Sequence, residues 1–386
     1  MGTKEKRQSI FYRLYIVCMT VMLPLHVFNM GDGDEGIKPF YIPAIFACVF
    51  TFFFTPRQGT LFKWLVSFFI LSMSSSFISY FNGSLLEWIK LFVVIYCCFG
   101  LAFVDIDKIL KLLSGFVPIT LLVLIYSAFA FPQYRFQGFY NDPNYLCTTL
   151  LAFLFVSTLI FIKTKSRIIK IVQIVNIVII YVLLLLTVSR TGFFCGIVFL
   201  FLIAILNIRR VSIKHTIYVT IICSLFYGYS ADLINDTLSN LYERSFGEKS
   251  NIESGRETRS LYSFQNINFI LDNPQYIPLG LGTGGVKPSG ANQIPGLLKY
   301  RKGDGQDHNS WTSCFSEHGI FAFFCYFMIY VTIFLSIWRR KKSPIKYVAI
   351  SAMFSIVIFS FSVYENTFLP YWWLIFFLKN SSIYQD

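Results

Sequence analysis

Ile171-Val-Gln-Ile-Val-Asn-Ile-Val-Ile-Ile-Tyr-Val-Leu-Leu-Leu-Leu186 contains no charged residue. A short break, Thr187-Val-Ser-Arg-Thr-Gly192, separates it from a second run, Phe193-Phe-Cys-Gly-Ile-Val-Phe-Leu-Phe-Leu-Ile-Ala-Ile-Leu206. The apolar residues are continuous rather than alternating, which excludes a porin-type barrel. About 20 such residues cross a bilayer core as a helix. The same pattern recurs along the chain. Of 386 residues, 55% are hydrophobic and only 14% charged, and mean hydropathy is +0.60. A soluble domain is about a quarter charged. The 44 Phe, 23 Tyr and 6 Trp exclude a disordered chain. What remains is an all-α polytopic transmembrane helical bundle.

Twelve spans are expected, near 11–28, 39–55, 64–82, 85–104, 112–131, 144–162, 171–188, 193–208, 214–231, 311–338, 347–364 and 366–380. The first follows Lys4, Lys6 and Arg7 but has no small-residue cleavage site, so it is expected to stay as an uncleaved helix. Alternate connections carry the basic residues: Lys4 to Arg13, Arg57/Lys63, Lys108/Lys111, Lys163 to Lys170, Arg209/Arg210/Lys214 and Arg339 to Lys346, then Lys379. They hold 21 of the 33 basic residues, while Lys38, Arg135 and Arg190 are single charges on short connections between them. By the positive-inside rule both termini are cytoplasmic. The net charge of +13 is then mostly topology, and no nucleic-acid partner is expected.

The chain divides into spans one to nine (1–230), a long loop (231–311) and spans ten to twelve (312–386). The loop falls on the outer, periplasmic side. Its eight basic residues do not break the topology, because long loops translocate regardless of charge. Long structured loops are usually functional, so the chemistry is expected there. The nine cysteines all lie in apolar runs and read as small buried hydrophobes, with no thiolate metal site.

Five constellations can carry chemistry. From Ser254 to Pro274 a helix is expected, capped by Ser254 and ended by Asp272-Asn273-Pro274, with Leu261, Phe264, Ile267/Asn268 and Leu271 at helical spacing. Arg256 and Arg259 share its first turn, where two guanidiniums beside a helix N-terminus suit a phosphate or diphosphate. The alternative is an amphipathic helix whose arginines touch lipid headgroups. Leu279-Gly-Leu-Gly-Thr-Gly-Gly285 spells GxGxxG, but it follows Pro278 and lacks strand–helix context, so it reads as a tight loop with close backbone approach.

Asp307-His-Asn-Ser-Trp-Thr-Ser-Cys-Phe-Ser-Glu-His-Gly319 opens the tenth span. Asn309 or Ser310 caps it, and His308 sits at the membrane surface, where a neutral imidazole can accept a hydroxyl proton. Glu317 and His318 lie deeper, and intramembrane ionisable groups are functional candidates. Arg190 is the one charge on the Thr187–Gly192 turn; it either snorkels or projects toward an anionic head group. Arg135 precedes Gln137 to Tyr145, where Asp142-Pro143 or Asn144 starts the sixth span as a cap, with cavity lining the second role. Glu87 and Lys90 are expected to pair at i,i+3, and His26 and His215 are isolated.

The order of these pieces resembles the O-antigen ligase/polymerase superfamily, most closely a Wzy-type O-antigen polymerase. The match runs from the SRTG turn through an SGRxxR helix and a PLGLGTG loop to HNSW and EHG. The resemblance implies a GT-C-like fold and a glycosyltransferase that joins undecaprenyl-diphosphate-linked oligosaccharides, both donor and acceptor, in the bacterial inner membrane. It implies no cofactor and no metal, and partnership with a chain-length regulator and a flippase of the same pathway. By position, the family's arginines would be Arg190 and Arg256 with Arg259 beside it, its histidine His308, and its nearby glutamate Glu317. Arg244, Arg135, Asn144 and Asn309 would help bind substrate.

Ligases of the family carry His-Asn, nine residues, then Gly-x-x-Gly/Thr/Tyr; His308-Asn309 and Gly319 fit, but Ala322 does not. Polymerases carry Arg, ten residues, Gly; Arg244 and Gly255 fit. The residues suit this chemistry on their own terms: a base for the acceptor hydroxyl and arginines for the departing diphosphate. Two other outcomes stay open, a ligase and a transporter or flippase. The transporter should show broken helices in corresponding halves.

Overall fold

The computed structural model describes residues 10–27, 39–131, 133, 135–140, 142–206, 256–300, 309–361 and 368–380, with backbone only for 204–206 and 256–261. The expected ninth span, His308 and Arg244 lie outside these residues. Within them the chain is helical, without strands.

The helices are α1 (Ile10–Leu25), α2 (Tyr41–Phe54), α3 (Thr60–Phe77), α4 (Ser84–Phe99), α5 (Ile106–Ala130), α6 (Pro143–Lys163), α7 (Arg167–Leu186), α8 (Arg190–Leu206), α9 (Arg256–Asp272), α10 (Pro288–Ala291), α11 (Leu297–Tyr300), α12 (Ser310–Trp338), α13 (Pro344–Ser360) and α14 (Leu369–Lys379). By length and composition, six can cross a membrane: α3, α4 with its one-turn extension to Phe103, α5, α6, α7 and α12. α1, α2, α8 and α13 are apolar but shorter.

Their ends follow from local chemistry. Asp105 caps α5 and Asp142 caps α6, each accepting from the backbone N–H two residues on, at 3.2 and 2.7 Å. Pro143 and Pro344 occupy first turns, where the missing N–H costs nothing. Ser343 caps α13 through Lys346 N at 3.2 Å.

α6 and α14 form the centre. Leu369 to Leu378 is buried at every position, so the eleven-residue α14 is an internal helix surrounded by others. Large apolar side chains on α2, α5, α7 and α8 point outward, as a lipid-facing surface requires. Apolar burial gives little drive within lipid, so polar links across helices matter more. Asn380 Nδ2 donates to the carbonyls of Leu101 (2.6 Å) and Val104 (2.5 Å), Tyr15 donates to Cys97 O (2.7 Å), and Trp373 Nε1 to Met19 O (3.0 Å). Such links contribute on the order of 1 kcal/mol each. Of the eight cysteines described, all but Cys18 are buried.

One end of the bundle gathers residues 78–83, 135–140, the 187–189 turn and 272–300. The opposite end carries the connections with Arg57, Lys108, Lys163, Arg167 and Arg339 to Lys342. Lys163 pairs there with Asp107 at 2.5 Å.

Candidate functional site

The break after α7 is a strained turn. Val188, β-branched, has φ 48°, a region non-glycine residues avoid. Ser189, buried, holds the turn: its hydroxyl donates to Asn144 Oδ1 (2.7 Å) and accepts from Gly192 N (3.2 Å). Phe136 N donates to Leu186 O at 2.9 Å, which binds the Arg135 segment to the same turn. Arg190 therefore starts α8 half-buried, one residue beyond a fixed serine. Asn144 is buried within the first turn of α6 and serves as the anchor for this turn. Arg135 is half-buried. His26, isolated in sequence, is buried with Nδ1 2.9 Å from Tyr140 Oη, which lies 2.8 Å from Thr149 Oγ1.

α9 is described from Arg256 to Asp272, where it ends at the expected Asp272-Asn273-Pro274; the expected cap Ser254 lies outside the described residues, and Arg256 and Arg259 are three apart. The spacing of the repeat left its face open, and the structure gives it. Phe264 and Leu271, part of the apolar repeat, are 64% and 56% exposed, whereas Ser263, Asn266, Phe269 and Ile270 are buried. The repeat is turned outward, as an interfacial helix turns its apolar face to lipid, and the inward face is half polar.

The glycine loop meets a break in α12. Segment 311–338 reads as one helix in the sequence, but Gly319 has φ 73° and ψ 179°, and α12 is two pieces joined there. The loop fills the gap. Leu281 N donates to Ser316 O (2.9 Å), Gly282 N to Glu317 O (2.8 Å) and Ile320 N to Ile277 O (2.9 Å), which replaces the helical bonds lost at the break. A Cβ on Gly319 would strike the Pro278 carbonyl, and one on Gly280 would lie against the Glu317 main chain. Close backbone approach is therefore the purpose of these glycines. Irregular backbone at membrane depth is tolerated where protein satisfies it.

α3 supplies a serine edge for the same loop. Ser75 donates to Glu317 O (2.6 Å), Ser79 to Leu281 O (2.5 Å), and Ser76 Oγ lies 2.7 Å from Thr283 Oγ1. Glu87 pairs with Lys90 at 2.6 Å as expected, and also with Lys287 of the loop at 2.7 Å. Nothing in the spacing of the sequence pointed to Lys287 or to the serines.

Asn309 caps α12, its Oδ1 accepting from Trp311 N (2.9 Å) and Thr312 N (3.3 Å). The carboxylate of Glu317 is fully buried, 3.8 Å from His318 Nε2, and His318 packs edge-on to Phe68. Glu317 and His318 thus sit inside the bundle at the break, about two turns beyond the Asn309 cap. Thr312 Oγ1 donates to Ser263 Oγ at 3.3 Å, which joins α9 to the head of α12. Arg256's helix and Asn309's helix are neighbours for this reason.

Residues 174–327 match the family model described as O-antigen ligase (Wzy_C). The matched stretch begins within α7 and ends within α12, past the break, and contains Arg190, Arg244, Arg256, Arg259, His308, Asn309 and Glu317 but neither Arg135 nor Asn144. It supports the O-antigen ligase/polymerase superfamily, whose activity is glycosyltransferase-like. No curated protein matches the chain.

Proposed function

We propose that this protein is an O-antigen polymerase, a metal-independent GT-C-type glycosyltransferase joining undecaprenyl-diphosphate-linked repeat units at the periplasmic face of a bacterial inner membrane. The observation that carries the enzyme class is the family match over 174–327, which spans the strained Arg190 turn, the Arg256 helix and the Asn309-capped broken helix in one run; within that class the choice of polymerase rests on the Arg244 to Gly255 spacing. The contact of α9 with the head of α12 through Ser263 and Thr312 supports a site between them.

In this reaction an acceptor sugar hydroxyl attacks the anomeric carbon of the donor. The new glycosidic bond forms as the bond from that carbon to the diphosphate oxygen breaks. His308 takes the hydroxyl proton in step with attack, because a sugar hydroxyl is too weak an acid to ionise beforehand. Undecaprenyl diphosphate leaves, its charge met by Arg190, Arg256 and Arg259, the latter two beside the α9 N-terminus. Glu317 orients the histidines. Arg244, Arg135, Asn144 and Asn309 complete the lining. Both termini are cytoplasmic in this account, and the loop face is periplasmic.

The ligase reading, transfer of polymer to lipid A core, is favoured by the description of the matched family and by His308-Asn309 with Gly319. Lipopolysaccharide gels from a deletion strain separate the two. Caps of a single repeat indicate a lost polymerase. Cores without any O-antigen indicate a lost ligase, and normal ladders exclude both.

A further inference from the structure

The inward face of α9 holds one polar side chain with nothing to bond, Asn266. Ser263 meets Thr312 of α12 at 3.3 Å. Seven residues on, Ile270 lies in a small apolar cluster against which Phe315 of α12 packs. Asn266 is three residues from Ser263 and four from Ile270, so it shares their face between the two contacts. On α12, Ser316 is one turn beyond Thr312 and Ser313 is three residues before Ser316. Asn266, Ser313 and Ser316 are fully buried. Neither amide atom of Asn266 has a hydrogen-bond partner, nor does the hydroxyl of Ser313 or Ser316.

Buried polar atoms without partners are costly, and apolar groups of the same shape would be tolerated at least as well. Three side chains on two helices share that cost, so their polarity serves something other than packing. Together they present amide N–H donors, an amide acceptor and two hydroxyls that do either, with no charge. That set suits a neutral ligand rich in hydroxyl groups rather than an anion or a cation.

We propose that Asn266, Ser313 and Ser316 form a subsite for the hydroxyls of one sugar of the lipid-linked glycan, and this rests on the function proposed above. Asn266 lies on the helix that Arg256 opens, and Ser313 follows His308 by five residues in the sequence, so the subsite is built from the same two segments as the proposed site. The subsite is enclosed in this structure, with the Ser263–Thr312 contact at its edge.

The test compares two probes on the purified full-length protein: the lipid-linked repeat unit extracted from host membranes, and undecaprenyl diphosphate without sugar. Wild type should bind the glycan-bearing lipid more tightly. Asn266→Leu should bind it about tenfold more weakly, bind the bare lipid as wild type does, and unfold at the same or a higher temperature. If Asn266→Leu does not fold, Ser313→Ala/Ser316→Ala decides by the same comparison. A variant that keeps the wild-type preference for the glycan overturns the subsite, leaving the atoms as a hydrated structural contact, while the proposed function stands. Binding of neither probe by wild type overturns the proposed function and the subsite with it.

Discussion

Ser75 on α3 donates its hydroxyl to the main-chain carbonyl of Glu317 on α12, 242 residues away, at 2.6 Å. The same carbonyl accepts from Gly282 N at 2.8 Å. A helix carbonyl with two outside donors has left its helix. Glu317 O accepts from them because Gly319 interrupts α12, and the glycine loop is held because Ser75, Ser76 and Ser79 stand beside it. The break is thus the joint through which the outer loop is fixed to the bundle.

Gly319→Ala should destabilise the protein by about 1–3 kcal/mol, because its φ and ψ are accessible only to glycine and the Pro278 carbonyl occupies the space of a Cβ. Thermal unfolding in detergent should show a lowered midpoint. An unchanged midpoint would mean that the break is not held as described.

Glu87→Gln should loosen the loop without breaking the bundle. Glu87 loses its charge toward Lys287 and Lys90, and charge-assisted hydrogen bonds contribute about 1.5–3 kcal/mol each. Trypsin cleavage after Lys299, an exposed residue, should accelerate roughly tenfold or more. Equal cleavage in both proteins would deny Glu87 this role.

Arg190→Ala and Arg256→Ala should each abolish long polymer in vivo at normal protein levels. Arg256→Lys should stay impaired, since lysine keeps the charge but loses the bidentate fork. Full-length polymer from both alanine variants would remove the diphosphate site from these residues.

A reporter fused near Lys249 should be active only on the periplasmic side, as the basic connections at the opposite end of the bundle require. A cytoplasmic signal would place the loop, and the whole site, on the wrong face.

Continuous apolar runs and capping residues carried most of the fold. Asp142-Pro143 and Asn309 mark helix starts by chemistry that needs no tertiary partner; Ser343-Pro344 does the same before α13, four residues ahead of the expected span. The Glu87–Lys90 pair was legible for the same reason, being one helical turn apart. Contacts between distant segments were not. Lys287 meets Glu87 across 200 residues, and no spacing rule links them. The break at Gly319 was hidden because His318-Gly319-Ile320 sits within a run apolar enough to read as one span. The face of α9 was not legible because its apolar repeat looks the same whether it faces a core or a lipid surface. Asn266 on α9 carried no signal in the sequence, and for Ser313 and Ser316 the spacing of three on α12 was the available one.

The central claim is transfer from a lipid diphosphate with His308 as the base, and turnover of a lipid-linked repeat unit by purified protein tests it most directly. Wild type should lengthen the glycan and release undecaprenyl diphosphate. His308→Ala should bind the donor normally yet turn over on the order of 10² to 10⁴ more slowly, and His318→Ala should keep most of the rate. Equal turnover by His308→Ala and wild type, or no product from wild type, would contradict the account.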